Sequence, residues 1–260
     1  MKHDTRRAVV DDDHPLPPAF YAAPSSPSRR AWADWWVLLH PPYTLWHLSY
    51  VAIGATIAPR FDGGRLVATL LAFFLAVGVG AHALDELHGR PLGTAIPAWL
   101  LVTAAVLSLA GAVTVGIFGV ERIGSGLAVF IVIGVALNCG YNLELLGGHL
   151  HNDVTFAAAW GAFPVLTAYY AQAATLRLPA FAAAAAAYWL STAQRSLSAP
   201  ARTLRRRVDS VDGTITYRDG RSAPLTRPVL LAPLEAALKA TAWGVLSVAV
   251  ALVLYRTLDT

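Results

Sequence analysis

The sequence predicts an all-α protein, a polytopic bundle of about seven transmembrane helices, and three observations support this. Hydrophobic residues make up 56% of the 260 positions, charged residues only 14%, and the mean hydropathy is +0.50. In an ordinary soluble domain, about a quarter of the residues are charged. The apolar residues are gathered into runs of roughly 20, the length that a helix needs to cross a bilayer. The single cysteine, Cys139, excludes a disulfide framework and a cysteine-based zinc or iron–sulfur site.

The first element is a polar N-terminal segment, residues 1–38. Its beginning contains Asp11, Asp12 and Asp13 with several prolines and serines, and it lacks the apolar core of a signal peptide. A segment of this composition buries too little apolar surface to fold. We therefore expect a disordered cytosolic tail, followed by a transmembrane helical domain over residues 39–260.

Seven apolar runs follow the tail. The sixth is the weakest candidate, because its alanine run favours a helix but contributes less hydrophobic transfer energy than leucine does. Between the sixth and seventh runs lies a polar insert near 199–228, in which Asp212-Gly213 and Asp219-Gly220 flank an alternating stretch and predict a small β-hairpin. The predicted crossing segments are 41–59, 65–87, 95–119, 124–146, 153–174, 178–196 and 230–256.

The lysines and arginines predict the orientation of the bundle. Fourteen of them fall in the N-terminal tail and in the loops after the second and sixth runs, whereas five fall on the opposite side. The positive-inside rule then places the N-terminus and the loops after the second, fourth and sixth helices in the cytosol. This pattern accounts for the net charge of +4 in an integral cell membrane protein, so a nucleic-acid partner is not expected.

A polar run ends the second apolar segment and is the first candidate site. His82, Asp85 and Glu86 are three and four residues apart, so on a helix they share one face, and His88 follows where the helix ends. Ionisable groups within a membrane segment mark functional sites by default. We predict these four residues as metal ligands, with Asp85 and Glu86 also catalytic.

A second polar run, between the fourth and fifth segments, contains Glu144, His149, His151 and Asp153. We expect it to converge with the first run, with all four as metal ligands and Glu144 also catalytic, and with His47 reaching the same cavity. Alternatives stay open: Asp153 is equally suited to capping the next helix, and Glu144 to the water interface. His47 also fits a hydrogen-bonded interfacial histidine, and both runs fit a solvated interfacial belt.

The expected metal and substrate follow from residue chemistry. A mixture of imidazoles and carboxylates suits iron, zinc or manganese better than magnesium, which favours oxygen ligands. Arginine forks bind phosphate well, so Gln194, Arg195 and Ser198, at and just after the end of the sixth segment, are candidates for an anionic head group. The predicted substrate-binding residues of the polar runs are Arg90, Tyr141, Asn142, Gln194, Arg195 and Ser198.

Several patches resemble the UbiA superfamily of intramembrane prenyltransferases, particularly its menaquinone-type branch. The run from His40 to Leu45 is similar to the Arg-Pro-x-Thr-Leu start of that family's first helix. The polar end of the second segment falls at the family's first Asn/Asp-rich motif. Tyr141, the Gly147-Gly148 turn and residues 156–172 are similar to its passage from helix 4 to helix 5.

The resemblance implies a UbiA-like fold in which two aspartate-rich motifs hold Mg²⁺ ions that neutralise a prenyl diphosphate, while a hydrophobic tunnel takes the chain. Three departures stand out. His82 occupies a position where the family has asparagine or aspartate, and Ser191 to Arg202, where the second motif is expected, contains no acid. The family's nine helices are also reduced to seven.

Three functional hypotheses follow. The first is a metal-dependent enzyme that performs prenyl transfer, cyclisation or elimination on an isoprenoid or prenyl-diphosphate lipid, with Arg195 replacing the lost acids in neutralising phosphate. The second is a transition-metal enzyme, using one or two iron or zinc ions for redox or hydrolytic chemistry on a lipid. The third is a non-enzymatic membrane protein with a degenerate site.

Overall fold

The structure of the chain, a computed structural model, describes residues 31–258. Helices dominate it, and a single two-stranded sheet interrupts them near the C-terminal end of the described residues. The elements are α1 (Ala31–Leu39), α2 (Pro41–Thr56), α3 (Gly63–Leu87), α4 (Ala98–Ile123), α5 (Leu127–Asn142), α6 (Asp153–Ala173), α7 (Leu178–Arg206), β1 (Gly213–Thr216), β2 (Ser222–Leu225) and α8 (Arg227–Leu258).

Four of the helices between residues 31 and 258 are long and apolar enough to cross a membrane: α3, α4, α6 and α8. This confirms the prediction of an all-α membrane bundle. The predicted count of seven crossing segments is not reached by this measure. Helices α2 and α5 have 16 residues each, and the alanine-rich α7 also carries arginines in its last turns.

Helix α2 lies at the centre of the bundle, packed against α6 and α8. Its contact with α6 depends on Gly54, because a Cβ added there would overlap the backbone of Val165. Around this close approach, Trp46, Tyr50 and Val165 form a buried apolar cluster with residues of α7 and α8. The bundle core is therefore built on α2.

Helix α1 occupies the end of the predicted N-terminal tail. Leu38 is fully buried in a cluster with Leu84 and Leu101, and the Asp34 carboxylate accepts a hydrogen bond of 2.9 Å from the Ala95 backbone N–H. The prediction of disorder for residues 31–38 is thereby corrected, because the polar composition of the longer segment concealed a nine-residue apolar helix. Residues 1–30, the rest of the predicted tail, lie outside the described residues.

The polar insert contains the predicted β-hairpin. Strands β1 and β2 are antiparallel, with Gly213 opposite Leu225 and Thr216 opposite Ser222. The hairpin connects α7 to α8, and just before it Arg205 of α7 forms an ion pair with Glu235 of α8. This pair joins the two helices on the side of the bundle where the polar runs also lie.

Candidate functional site

A polar cavity of about 670 Å³ opens at the end of the bundle next to the insert. Five parts of the chain form its wall: α2, the end of α3 with the following loop, the end of α5 with the following loop, α6, and α7. The structure thus brings the two polar runs together around one space. Its polar lining includes His40, Tyr43, His47, His82, Asp85, His88, Tyr141, Asn142, Glu144, His151, Gln194, Arg195, Ser198, Arg202, Arg206 and Arg207.

Irregular helical turns orient two of the cavity histidines: a turn of α3 orients His82 of the same helix, and a turn of α6 orients His47 of α2. Helices α3 and α6 each contain a wider π-helical turn, Phe74–Ala81 and Ala158–Ala162. The ring N–H at Nδ1 of His82 donates to the Gly78 carbonyl at 3.1 Å, and that of His47 to the Trp160 carbonyl at 2.8 Å. Because a carbonyl only accepts, Nδ1 carries the proton in both rings, which leaves Nε2 as the acceptor. π-Helical turns are frequent at functional sites.

His40 lies between α1 and α2 in a left-handed conformation, φ 45°, and its ring centroid is 5.9 Å from that of His82. Burial lowers the pKa of His40 well below its ordinary value, and the charges of His82, Arg202 and Arg206 lower it further. The His40 imidazole is therefore neutral at neutral pH.

The two neighbouring acids of α3 occupy different surroundings. Asp85 lines the cavity, where it interacts electrostatically with His151, Arg202 and Arg195. Glu86 is completely buried and faces the loop after α3, where its carboxylate accepts hydrogen bonds from the backbone N–H groups of Leu92 and Thr94, both at 2.8 Å, and from the Thr94 hydroxyl at 2.9 Å. Glu86 was predicted as a catalytic metal ligand, but its contacts are those of a residue that holds the loop.

Glu144 lies at the rim of the cavity, between two histidines. Its carboxylate oxygens are 3.6 Å from His88 Nε2 and 3.8 Å from His151 Nδ1. The backbone of Glu144 is left-handed, φ 49°, in a loop where Gly147 and Gly148 also have positive φ. Since about half of the His88 side chain is exposed, this group faces water as well as the cavity.

Three other predicted ligands or substrate contacts lie away from the cavity wall. His149 is exposed, and Asp153 pairs with Arg195 instead of facing the cavity. The helix-capping role considered for Asp153 belongs to Asn152, whose side chain accepts a hydrogen bond from the Thr155 N–H. Arg90 donates to the Ile96 carbonyl at 2.6 Å within the loop that Glu86 holds.

The predicted substrate-binding residues of α5 and α7 do line the cavity. Gln194 and Tyr141 are 2% and 4% exposed, and the Gln194 Oε1 and Tyr141 hydroxyl atoms make no hydrogen bond within the described residues. The Asn142 amide donates to the Asn138 carbonyl at 2.8 Å, and the Ser198 hydroxyl to the Arg195 carbonyl at 3.4 Å. The Tyr43 hydroxyl, which also lines the cavity, makes no hydrogen bond within the described residues either, so three buried polar atoms are available to a ligand.

Arg195 bridges α7 and α6. Its Nε donates to the Asp153 carboxylate at 2.8 Å, and its guanidinium lies over the Phe156 ring, 5.2 Å from the centroid. Tyr43, Arg202 and Arg206 are further cavity residues that the sequence analysis did not select as binding residues. For the two arginines a signal was available: they follow Arg195 by seven and eleven residues, which places all three on one helical face.

The donor set does not match either expected metal. Across residues 31–258, no group of three or more histidines, cysteines, aspartates or glutamates is arranged so that it could hold a metal ion. Glu86 is engaged by the loop, and the α7 side of the cavity presents Arg195, Arg202, Arg206 and Arg207. Neither the Mg²⁺ site nor the iron or zinc site is assembled by these side chains.

An apolar groove of about 790 Å³ lies next to the polar cavity. It is lined by α3, α4, α5 and α6, and the lining includes Phe73, Phe130 and Phe163. Val77 of α3 and Trp160 of α6 line both the groove and the polar cavity. The two spaces therefore adjoin at these two side chains.

Comparisons of the chain with family models, with curated proteins and with solved structures find no match.

Proposed function

We propose that this protein is an intramembrane enzyme that acts on an isoprenoid lipid with a diphosphate head group, by prenyl transfer, cyclisation or elimination. The observation that carries the proposal is the shared wall at Val77 and Trp160. An amphiphile of this class has a compact anionic head and a long apolar chain. The polar cavity suits the head, and the adjoining apolar groove suits the chain.

The residues around the junction suit the chemistry of an allylic diphosphate. Its C–O bond would break with the electron pair leaving on the diphosphate, whose charge the arginines of α7 would stabilise. The allylic cation would lie among Tyr141, Phe156 and Trp160, and aromatic faces stabilise cations. The Tyr141 ring centroid is 5.9 Å from that of Trp160 and 6.2 Å from that of Phe156.

A proton acceptor is also near. Elimination, cyclisation or transfer to a protonated acceptor each end with loss of a proton from carbon or oxygen. Asp85, His47 and His82 line the same cavity. The Asp85 carboxylate can take the proton, as can the Nε2 atoms of the two histidines, whose Nδ1 atoms donate to carbonyls. We assign Asp85 the main role as proton acceptor, because it lines the cavity whereas Glu144 lies at the rim.

The proposal extends to the fold and to its orientation in the membrane. We propose that the bundle is a divergent UbiA-like fold in which α2, α5 and α7 lie in the membrane with the four longer helices. The distribution of lysine and arginine supports a cytosolic position for the polar cavity and the hairpin. A cytosolic opening would admit a water-soluble acceptor or release diphosphate.

The test is release of inorganic diphosphate from geranylgeranyl diphosphate by the purified protein in lipid nanodiscs, with and without a lipid extract of the producing cells as a source of acceptor. We expect release that Val77→Phe reduces, because the larger side chain obstructs the junction. Val106→Phe on the outer surface of α4, where Val106 is 59% exposed, is the matched control. Failure to release diphosphate under either condition would contradict the proposed activity.

A transition-metal lipid enzyme is the second candidate, favoured by the five histidines that line the cavity: His40, His47, His82, His88 and His151. It ranks lower because the described side chains form no group of three that could hold a metal. Elemental analysis of protein purified without chelators distinguishes the two. Stoichiometric iron or zinc would favour the second candidate.

A further inference from the structure

The polar face of α7 concentrates positive charge in the cavity. Arg195, Arg202 and Arg206 are separated by seven and four residues, so they project from one side of the helix, and all three line the cavity. Arg202 and Arg206 lie beyond residue 196, where the predicted crossing segment ends. This face is therefore placed at the membrane boundary, where a lipid head group would lie.

The partners of the three arginines differ. Arg195 pairs with Asp153, and Arg206 donates to the Pro91 carbonyl at 2.8 Å. Within the part of the chain that the structure describes, the Arg202 guanidinium has no hydrogen-bond or ion-pair partner. Burial lowers the pKa of Arg202, and the like charges of Arg195 and Arg206 lower it further. Asp85 interacts electrostatically with Arg202 but forms no ion pair with it among residues 31–258. A partly buried cation without a directly bound counter-ion is costly, so this position favours an anionic ligand.

A second unpartnered group faces the same space. The Tyr141 hydroxyl is buried, makes no hydrogen bond within residues 31–258, and interacts electrostatically with Arg195 and Arg202. The phenolic hydroxyl and the guanidinium N–H groups can all donate hydrogen bonds. A fully ionised phosphate group has no donor, and all its terminal oxygens accept. The donor set of this wall thus matches an ionised phosphate or diphosphate.

The acids needed for a metal-bridged diphosphate are scarce on the same wall. Mg²⁺ is usually bound by one or two carboxylates together with substrate phosphates. Here Glu86 is engaged by the loop, Asp153 is paired with Arg195, and Glu144 lies at the rim between two histidines. Asp85 is the carboxylate that remains within the wall.

We propose that Arg202, together with Arg195 and Arg206, binds the diphosphate head group directly, and that this binding needs no metal ion. The inference rests on the proposed function and specifies how its head-group site works. Guanidinium groups supply positive charge and paired N–H donors to the phosphate oxygens. They can therefore take the role that bridging metal ions would otherwise have. Tyr141 donates an additional hydrogen bond.

The test measures binding of inorganic diphosphate and of geranylgeranyl diphosphate to the purified full-length protein in nanodiscs, by equilibrium dialysis, in excess EDTA and in Mg²⁺. We expect binding in EDTA that is at least as tight as in Mg²⁺. Arg202→Gln should weaken binding of both ligands by about tenfold or more, the usual effect of losing charge-assisted hydrogen bonds. Arg218→Gln, an equal charge change on the exposed hairpin turn, should leave binding unchanged.

A stability measurement separates loss of binding from loss of fold. Because Arg202 has no hydrogen-bond or ion-pair partner among residues 31–258, Arg202→Gln should melt at the same temperature as the wild type or higher. A lower melting temperature would assign Arg202 a structural role and overturn the inference. Arg202→Lys, which keeps the charge without the planar fork, should recover part of the affinity.

The binding measurements also distinguish a failure of metal-independent binding from a failure of the proposed function. Binding that occurs in Mg²⁺ but disappears in EDTA would overturn metal-independent recognition while leaving the proposed substrate class intact. Absence of binding of geranylgeranyl diphosphate under both conditions would contradict the proposed function itself. Binding in EDTA that Arg202→Gln does not weaken would overturn the assignment to α7.

Discussion

Substitution of Glu86 by glutamine separates the structural acid of α3 from the acid in the cavity. Glu86 is completely buried, and its carboxylate accepts three hydrogen bonds, of 2.8, 2.8 and 2.9 Å, from Leu92 and Thr94. Asp85, the preceding residue, lines the polar cavity. The pair thus offers two conservative variants, Glu86→Gln and Asp85→Asn, one position apart.

The hydrogen bonds of Glu86 determine how much Glu86→Gln should lower the free energy of unfolding. One carboxylate oxygen accepts from the Leu92 N–H, and the other accepts from both polar groups of Thr94. Glutamine retains one acceptor oxygen and turns the other position into a donor, which then faces a backbone N–H. Losing a charge-assisted hydrogen bond and leaving a buried donor unsatisfied costs about 2–4 kcal/mol. Asp85→Asn removes no comparable contact and should cost about 1 kcal/mol or less.

Chemical unfolding in detergent micelles and limited proteolysis of the loop after α3 measure the difference. We expect Glu86→Gln to lower the unfolding midpoint and to increase cleavage between residues 88 and 97, while the folded fraction still releases diphosphate. Asp85→Asn should show the opposite pattern, with normal stability and reduced release. Wild-type stability in Glu86→Gln together with lost activity would refute the structural assignment.

Three further predictions concern the bundle around the site. Because the pKa of His40 is lower in the folded than in the unfolded state, the free energy of unfolding should be highest above about pH 6.5 and should fall as the pH drops below that value. His40→Asn should remove part of this pH dependence when melting is measured across the pH range. A melting temperature of the wild type that does not change with pH would contradict this prediction. Arg205→Ala should destabilise the protein by about 2–3 kcal/mol, because it removes the ion pair between Arg205 and the partly buried Glu235 carboxylate, and urea unfolding of Arg205→Ala against the exposed Arg218→Ala checks this. In Gly161→Ala the new Cβ would lie 2.6 Å from the Ala187 carbonyl oxygen, so we expect a loss of about 1–3 kcal/mol in the same assay, and an unchanged midpoint would show that α6 and α7 separate easily.

The sequence was informative where the physical signal is periodic or local. The seven apolar runs coincide with seven helices, and the Asp-Gly pairs correctly marked the hairpin between residues 213 and 225. The spacing of His82 and Asp85 placed both on the cavity side of α3. These predictions depended on helical periodicity and turn chemistry, which a single sequence contains.

Other features depended on tertiary partners that a sequence does not reveal. Glu86 and Asp85 are both acids on one helical turn, and only the position of Thr94 in the folded loop distinguishes their roles. Helix α1 was missed because its nine residues, eight of them apolar, adjoin a long polar segment. Arg202 and Arg206 entered the sequence analysis only in the count of basic residues that predicts the orientation, and such a count does not show which side chains face a cavity.

The most direct test of the account compares the binding of geranylgeranyl diphosphate, geranylgeraniol and inorganic diphosphate to the same nanodisc preparation. A head-group cavity that adjoins a chain groove at Val77 and Trp160 should bind the intact diphosphate lipid more tightly than either of its parts, and inorganic diphosphate should compete with it. Equal affinity for the alcohol and the diphosphate, or no competition by inorganic diphosphate, would contradict the central claim.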